Sequence, residues 1–211
     1  HQMCFRDSCI ASGTIWVDMD KSGIDVLISA PQKGWSASPC CALVMLSAAG
    51  LERLEKTESS SFSCDLRKWW NIMEAYENGG HAYHATMPTD SLRRFRDIMK
   101  ETEEYGFEKV RAEQQELGDK VREMLVAKGI KSVASEGFQA PGVVVSYTND
   151  KGIQTGKKFA ELGFQIAAGV PLQCDEPEDY QSFRLGLFGL DKLHNIGRTV
   201  EKLEKALAAI Y

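Results

Sequence analysis

Gly23-Ile24-Asp25-Val26-Leu27-Ile28-Ser29, then Ala30-Pro31-Gln32-Lys33-Gly34-Trp35-Ser36-Ala37-Ser38-Pro39, then Cys40-Cys41-Ala42-Leu43-Val44-Met45-Leu46 is the stretch of the 211-residue chain that decides the fold class. Its first part is rich in β-branched residues and bounded by Gly and Pro, which predicts a strand. Its last part is almost wholly apolar, as in a strand covered on both faces by the helices of an α/β sheet. Between them runs a polar loop fenced by Pro31 and Pro39. A loop joining two buried strands lies at the sheet edge where α/β enzymes place ligands. Lys33 stands at its centre among Gln32, Gly34, Trp35 and two serines. Desolvation favours the neutral, nucleophilic form of a lysine, which can condense with an aldehyde. A loop lysine taken alone is far more often a solvated surface residue.

Upstream, Arg6-Asp7-Ser8-Cys9-Ile10-Ala11-Ser12-Gly13 sets a carboxylate in an apolar, small-residue segment that can end a strand. Spacing alone does not bring Asp7 to Lys33. Downstream, Asp90 or Ser91 can cap a helix entering Leu92-Arg93-Arg94-Phe95. Val110, Leu117, Val121, Met124 and Leu125 form one face of a second helix, stopped at Gly129. The pattern then alternates, with a strand over 142–147, a helix over 155–162 ending at Gly163, and strands over 164–167 and 183–188. A last helix carries the seam Leu193, Ile196, Val200, Leu203 and Leu207. The expected organisation is a mainly parallel α/β unit over 1–105 and a small α+β domain over 106–211.

The bulk composition excludes several classes. The net charge is −5 with both signs interleaved, and no basic stripe suits nucleic acid or an anionic membrane surface. No apolar run approaches the roughly 18 residues that span a bilayer. The six cysteines, Cys4, Cys9, Cys40, Cys41, Cys64 and Cys174, include no CxxC and no zinc-ligand spacing. They read as reduced, mostly buried thiols of a cytoplasmic protein. His81 and His84 read as loop histidines. Trp69 and Trp70, with Ile72 and Met73, form an apolar patch for the core or a dimer contact.

The series Asp7…Ala11-Ser12…Gly23-Ile24-Asp25…Ser29-Ala30-Pro31-Gln32-Lys33 resembles the class V (fold-type I) pyridoxal-phosphate aminotransferases, in their alanine–glyoxylate and serine–pyruvate branch. Tyr83-His84-Ala85-Thr86-Met87-Pro88 is similar to the family's Y-H-x-T-x-P loop, and Phe183-Arg184-Leu185-Gly186 to its R-I-G strand. The resemblance implies a partial large domain of the pyridoxal-phosphate transferase fold, followed by a small C-terminal domain. It also implies site roles. Lys33 would carry the cofactor as a Schiff base and move the proton. Asp7 would face the pyridine nitrogen and Cys9 the ring. Gln32, with Tyr83 and Thr86 of the other subunit of a homodimer, would hold the phosphate. Arg184 would grip the substrate carboxylate. The substrates would be a small amino acid, alanine or serine, and a 2-oxo acid such as glyoxylate or pyruvate.

The chain departs from the family at its start. The glycine-rich phosphate loop and the aromatic residue that stacks on the cofactor would precede Asp7, Trp16 and Trp35 are not at the corresponding place, and Arg6 is charged where the family is apolar. The expectation is therefore an N-terminally truncated fragment. Two alternatives stand beside it. One is another class V reaction, with ureidoglycine or aminoethylphosphonate as donor. The other is a non-catalytic remnant that keeps the dimer surface. A cysteine-desulfurase reading of Cys174 does not fit, because the lysine segment lacks the histidine those enzymes place before it.

Overall fold

The structure, a computed structural model, describes residues 3–7 and 11–211. Its first sheet has the order β1 (Phe5–Asp7), β2 (Val26–Ser29), β3 (Leu43–Leu46). β1 and β2 are parallel, with Phe5 opposite Val26 and Asp7 opposite Ile28. β2 and β3 are antiparallel, with Ser29 opposite Leu43. Parallel pairing of β2 with β3 would need a crossover, usually helical, and the connection 30–42 holds no helix. The expected parallel character is therefore carried by β1 and β2. The strand predicted from Gly23 is shorter than its apolar run, because Gly23 (φ 63°) ends the short helix α1 (Met19–Ser22). Asp25, just before β2, is buried and ties three segments. Its carboxylate accepts from the Cys4 N–H at 2.9 Å and from the Ser47 hydroxyl at 3.0 Å.

Two helices not foreseen in the sequence follow: α2 (Ala48–Glu55), capped by Ser47, and α3 (Leu66–Glu77), capped by Asp65. Neither Asp90 nor Ser91 caps α4 (Thr89–Tyr105). The helix begins earlier, directly after Pro88, and has no side-chain cap. Gly106 (φ 101°) separates α4 from α5 (Phe107–Ala127), which Gly129 terminates as expected.

The second sheet is antiparallel, in the order β4 (Val143–Tyr147), β6 (Ser182–Gly186), β5 (Ala167–Ala168). The helix expected over 155–162 is the shorter α7 (Lys157–Glu161), and Gly156, with a left-handed φ of 78°, separates it from an unforeseen short helix, α6 (Lys151–Gln154). Likewise Leu193 closes α8 (Leu190–Leu193), and α9 (Ile196–Ile210) starts afresh under an Asn195 cap. The core gathers Leu117, Val121 and Leu125 of α5, Val144 of β4, Phe183 and Leu185 of β6, and Leu203 and Leu207 of α9. Each such side chain contributes roughly 1.5–3 kcal/mol by leaving water.

The cysteines differ from expectation. Cys4, Cys40 and Cys41 are half-buried, whereas Cys64 and Cys174 are exposed. Among the described residues no helix is long and apolar enough to cross a membrane.

Candidate active site

Because β1 and β2 run parallel, their C-terminal ends reach the same edge of the sheet. Asp7 is the last residue of β1, and Ser29, the last of β2, leads directly into the lysine loop. The topology thus puts Asp7 and the start of the lysine loop at one edge of the sheet, a placement that their spacing in the sequence did not give. Strand ends of this kind are where α/β folds hold ligands.

Two glycines lock the segment after β1 onto that loop. A Cβ on Gly34 would lie 2.2 Å from the Ser12 carbonyl oxygen, and one on Gly13 would lie 2.9 Å from the Gly34 carbonyl carbon. Gly13 also has φ 90°, which side-chain-bearing residues avoid. The backbones touch with no room for a methyl group between them. Beside this contact the hydroxyls of Ser12 and Ser29 are hydrogen-bonded. The loop is closed by the Ser36 N–H on the Lys33 carbonyl (2.8 Å) and the Ala37 N–H on the Pro31 carbonyl (2.9 Å). Pro31 is fully buried, and Trp35 stands edge-on to Phe95 of α4 at 5.9 Å. On this held backbone Lys33 is half-buried and Gln32 exposed.

Arg184 sits mid-strand in β6, opposite Val145 of β4 and Ala167 of β5. Its Nε donates to the Ala168 carbonyl at 2.9 Å, which fixes the plane of the guanidinium. The two sheets meet close to the lysine loop. A Cβ on Gly189, just past β6, would lie 2.8 Å from Ser36 Oγ, and one on Gly142, just before β4, would lie 2.8 Å from Thr14 Cβ. Behind the loop is a cavity of about 670 Å³, walled by Gly34 and Trp35 on one side and by Gln114, Leu193 and His194 on the other. Asp7, Lys33 and Arg184 are not among its walls.

Tyr83 and Thr86 lie on a different connection, between α3 and α4, with their hydroxyls 3.1 Å apart and Tyr83 77% exposed. His84 holds this connection. Its Nε2 is 2.8 Å from the Phe62 carbonyl, and its ring packs against Phe62 (4.1 Å) and Trp69 (5.0 Å). The Y-H-x-T-x-P motif marked the position of His84, but nothing in the sequence pointed to Phe62. Cys9 lies outside the described residues.

The loop before β6 holds a further group that the sequence did not suggest. The Glu176 carboxylate accepts from the backbone N–H groups of Cys174 (2.7 Å) and Gln173 (2.8 Å), and also from that of Leu172. These donors hold its carboxyl at about 2, far below the usual glutamate range. Gln173 and Asp175 have positive φ (59° and 63°), and the carboxylate staples this unusual turn.

No family model matches the sequence. Relatives do. The chain is 25% identical to an alanine–glyoxylate aminotransferase of Callithrix jacchus over 224 residues, covering 98% of this chain and 52% of that protein. It is 27% identical to a 2-aminoethylphosphonate–pyruvate transaminase of Vibrio vulnificus over 209 residues, covering 95% and 53%. The chain is similar to aminotransferases along nearly its whole length. It spans about half the length of the curated relatives it matches. The crystal structure of an alanine–glyoxylate aminotransferase from Nostoc sp. superposes with a TM-score of 0.77 at 18% identity, over 97% of this chain and 54% of that one. That likeness shows the fold, over nearly the whole of this chain and about half of that one.

Proposed function

We propose that this chain supplies the lysine, aspartate and arginine of a pyridoxal-phosphate-dependent transaminase acting on a small amino acid, alanine or serine, with glyoxylate or pyruvate as acceptor. The observation that carries this is the shared strand edge. Parallel pairing and the Gly13–Gly34 contact hold Asp7 and the Lys33 loop together, in a chain similar to transaminases along nearly its whole length. The residues fit the cofactor by their chemistry, with an acid at the end of β1, an amine on the adjoining loop, and an exposed amide and hydroxyls for a phosphate. Bound pyridoxal phosphate supplies an electron sink for negative charge at the substrate α-carbon. The Asp7 carboxylate keeps the proton on the ring nitrogen. Lys33 Nζ removes and returns the α-proton of the substrate. Arg184 orients the substrate carboxylate by its planar fork. By the resemblance alone, Cys9 would serve the ring face. Gln32, with Tyr83 and Thr86 of a second subunit, binds the phosphate across a two-fold axis of a cytoplasmic homodimer. Residues 1–105 belong in this reading to the cofactor domain and 106–211 to the small domain.

The Vibrio relative supports a second reading, in which the amino donor is an aminoalkylphosphonate rather than an amino acid. Incubation with pyridoxal phosphate, borohydride reduction and peptide mapping test the assignment. In the active assembly a pyridoxyl group on Lys33 is expected, and a label on another lysine there overturns the assignment. Assays with alanine, serine and 2-aminoethylphosphonate against glyoxylate and pyruvate then separate the two readings.

A further inference from the structure

Cys40 and Cys41 are consecutive and half-buried, at the exit of the lysine loop and before β3 begins at Leu43. Neighbouring side chains in a strand point to opposite faces, which would hold two adjacent sulfurs well apart. Here the backbone has not yet entered the strand, and the sulfurs stand 3.8 Å apart, with the Cys40 thiol directed at Cys41 Sγ. The separation suits some chemistry and not other chemistry. A disulfide needs sulfurs at about 2.05 Å and Cα atoms usually about 4.4–6.8 Å apart, whereas adjacent residues are held at about 3.8 Å across a trans peptide. An atom bonded to both sulfurs meets no such obstacle. Two bonds of about 2.3 Å at a near-tetrahedral angle span about 3.8 Å. A pyramidal centre with a smaller angle asks for slightly less, within reach of a small side-chain rotation.

The identity of that atom follows from the donor count. Among the described residues no group of three or more His, Cys, Asp or Glu side chains gathers to ligate a metal, so four-coordinate zinc is not matched. Two soft sulfurs alone complete a trivalent arsenic centre that already carries one organic substituent. We propose that Cys40 and Cys41 form a capture site for mono-organic trivalent arsenicals.

The proton held on Cys41 favours this ligand over a bare soft cation. Burial pushes the Cys41 thiol up to about 11, with the neighbouring Cys40 adding to the effect, so Cys41 keeps its proton at neutral pH. A cation must displace that proton into solvent. An arsenoxide consumes it. Both S–H bonds and the As=O bond break, two As–S bonds form, and the oxygen leaves as water with both protons. Arsenic stays trivalent throughout, and no oxidant or reductant is required. The proposal uses none of the proposed transaminase residues and does not depend on that activity.

Phenylarsine oxide on the whole chain is the direct test, read by intact mass and by mapping of the bridged peptide. One phenylarsenic group per chain is expected on the peptide holding Cys40 and Cys41, removed by excess small dithiol and resistant to the same concentration of a monothiol. Cys40→Ser and Cys41→Ser should each lose the label, while Cys64→Ser and Cys174→Ser keep it. Circular dichroism confirms that each variant is folded, and the map on the unaltered chain needs no variant at all. A bridge on any other cysteine pair, a label that survives either single substitution at Cys40 or Cys41, or no label on the unaltered chain overturns the proposal.

Discussion

Gly34 is the residue on which the position of the lysine loop depends. A methyl group there would sit 2.2 Å from a backbone oxygen, which has no flexible end to swing aside. Gly34→Ala is therefore expected to destabilise the fold by about 1–3 kcal/mol, the range for overpacking. A thermal melt checks it, and an unchanged Tm would contradict the contact. Glu176 gives a pH signature. Its folded carboxyl titrates at about 2 against an ordinary value of 4.5. A depressed folded value stabilises the loop above the unfolded pKa, and this contribution is lost as pH falls from about 4.5 towards 2. Amide exchange at Gln173 and Cys174 should show constant carboxylate protection, after correction for intrinsic rates, above that window and falling protection inside it. Glu176→Gln should remove the pH dependence. Lys33, Asp7 and Arg184 could be picked out as residue types in the sequence. The meeting of Asp7 with the lysine loop could not, because it depends on the register of β1 on β2 and on a backbone contact between two glycines. The exposed Cys64 and Cys174 were misread as buried because cysteine is usually found inside.

The helices with a strong stripe and a partner within the chain were the legible ones. α9 follows its heptad-like seam, and Leu207 is completely buried. Leu207→Ala should cost about 2–5 kcal/mol in chemical denaturation, from lost transfer and the remaining cavity. A change below about 1 kcal/mol would mean that α9 is not packed as described. α3 went unseen for the opposite reason. It contains no fully buried residue; its tryptophans are only half-buried and Met73 is exposed, so its inward face is shallow. α4 was placed late because Asp90 and Ser91 are good capping residues, whereas Pro88 ahead of the first turn sets the start by its fixed φ. Single left-handed glycines decided the breaks at 106 and 156. Periodicity is blind to them, since the apolar pattern continues on both sides.

For the whole molecule, the proposed chemistry separates three substitutions. In the active assembly, Lys33→Ala should abolish both the borohydride-fixed label and turnover, because the covalent bond and the proton carrier vanish together. Asp7→Asn should keep the label and lose most of kcat. Arg184→Lys should mainly raise KM, by the loss of one charge-assisted hydrogen bond worth roughly 1.5–3 kcal/mol. If Asp7→Asn abolished labelling as well, the division of roles would be wrong. The principal buried cluster has a further consequence. Every member, from Val110 to Leu207, belongs to the second half of the chain. Local opening should therefore begin around β1, β2 and the lysine loop, while α5, β4, β6 and α9 remain closed until global unfolding. Native-state hydrogen exchange would show two tiers of opening free energy, with the slowest amides in the second sheet and its helices. The arginine then stands on the firm tier and the lysine on the yielding one, so thermal motion changes the distance between them chiefly from the lysine's side.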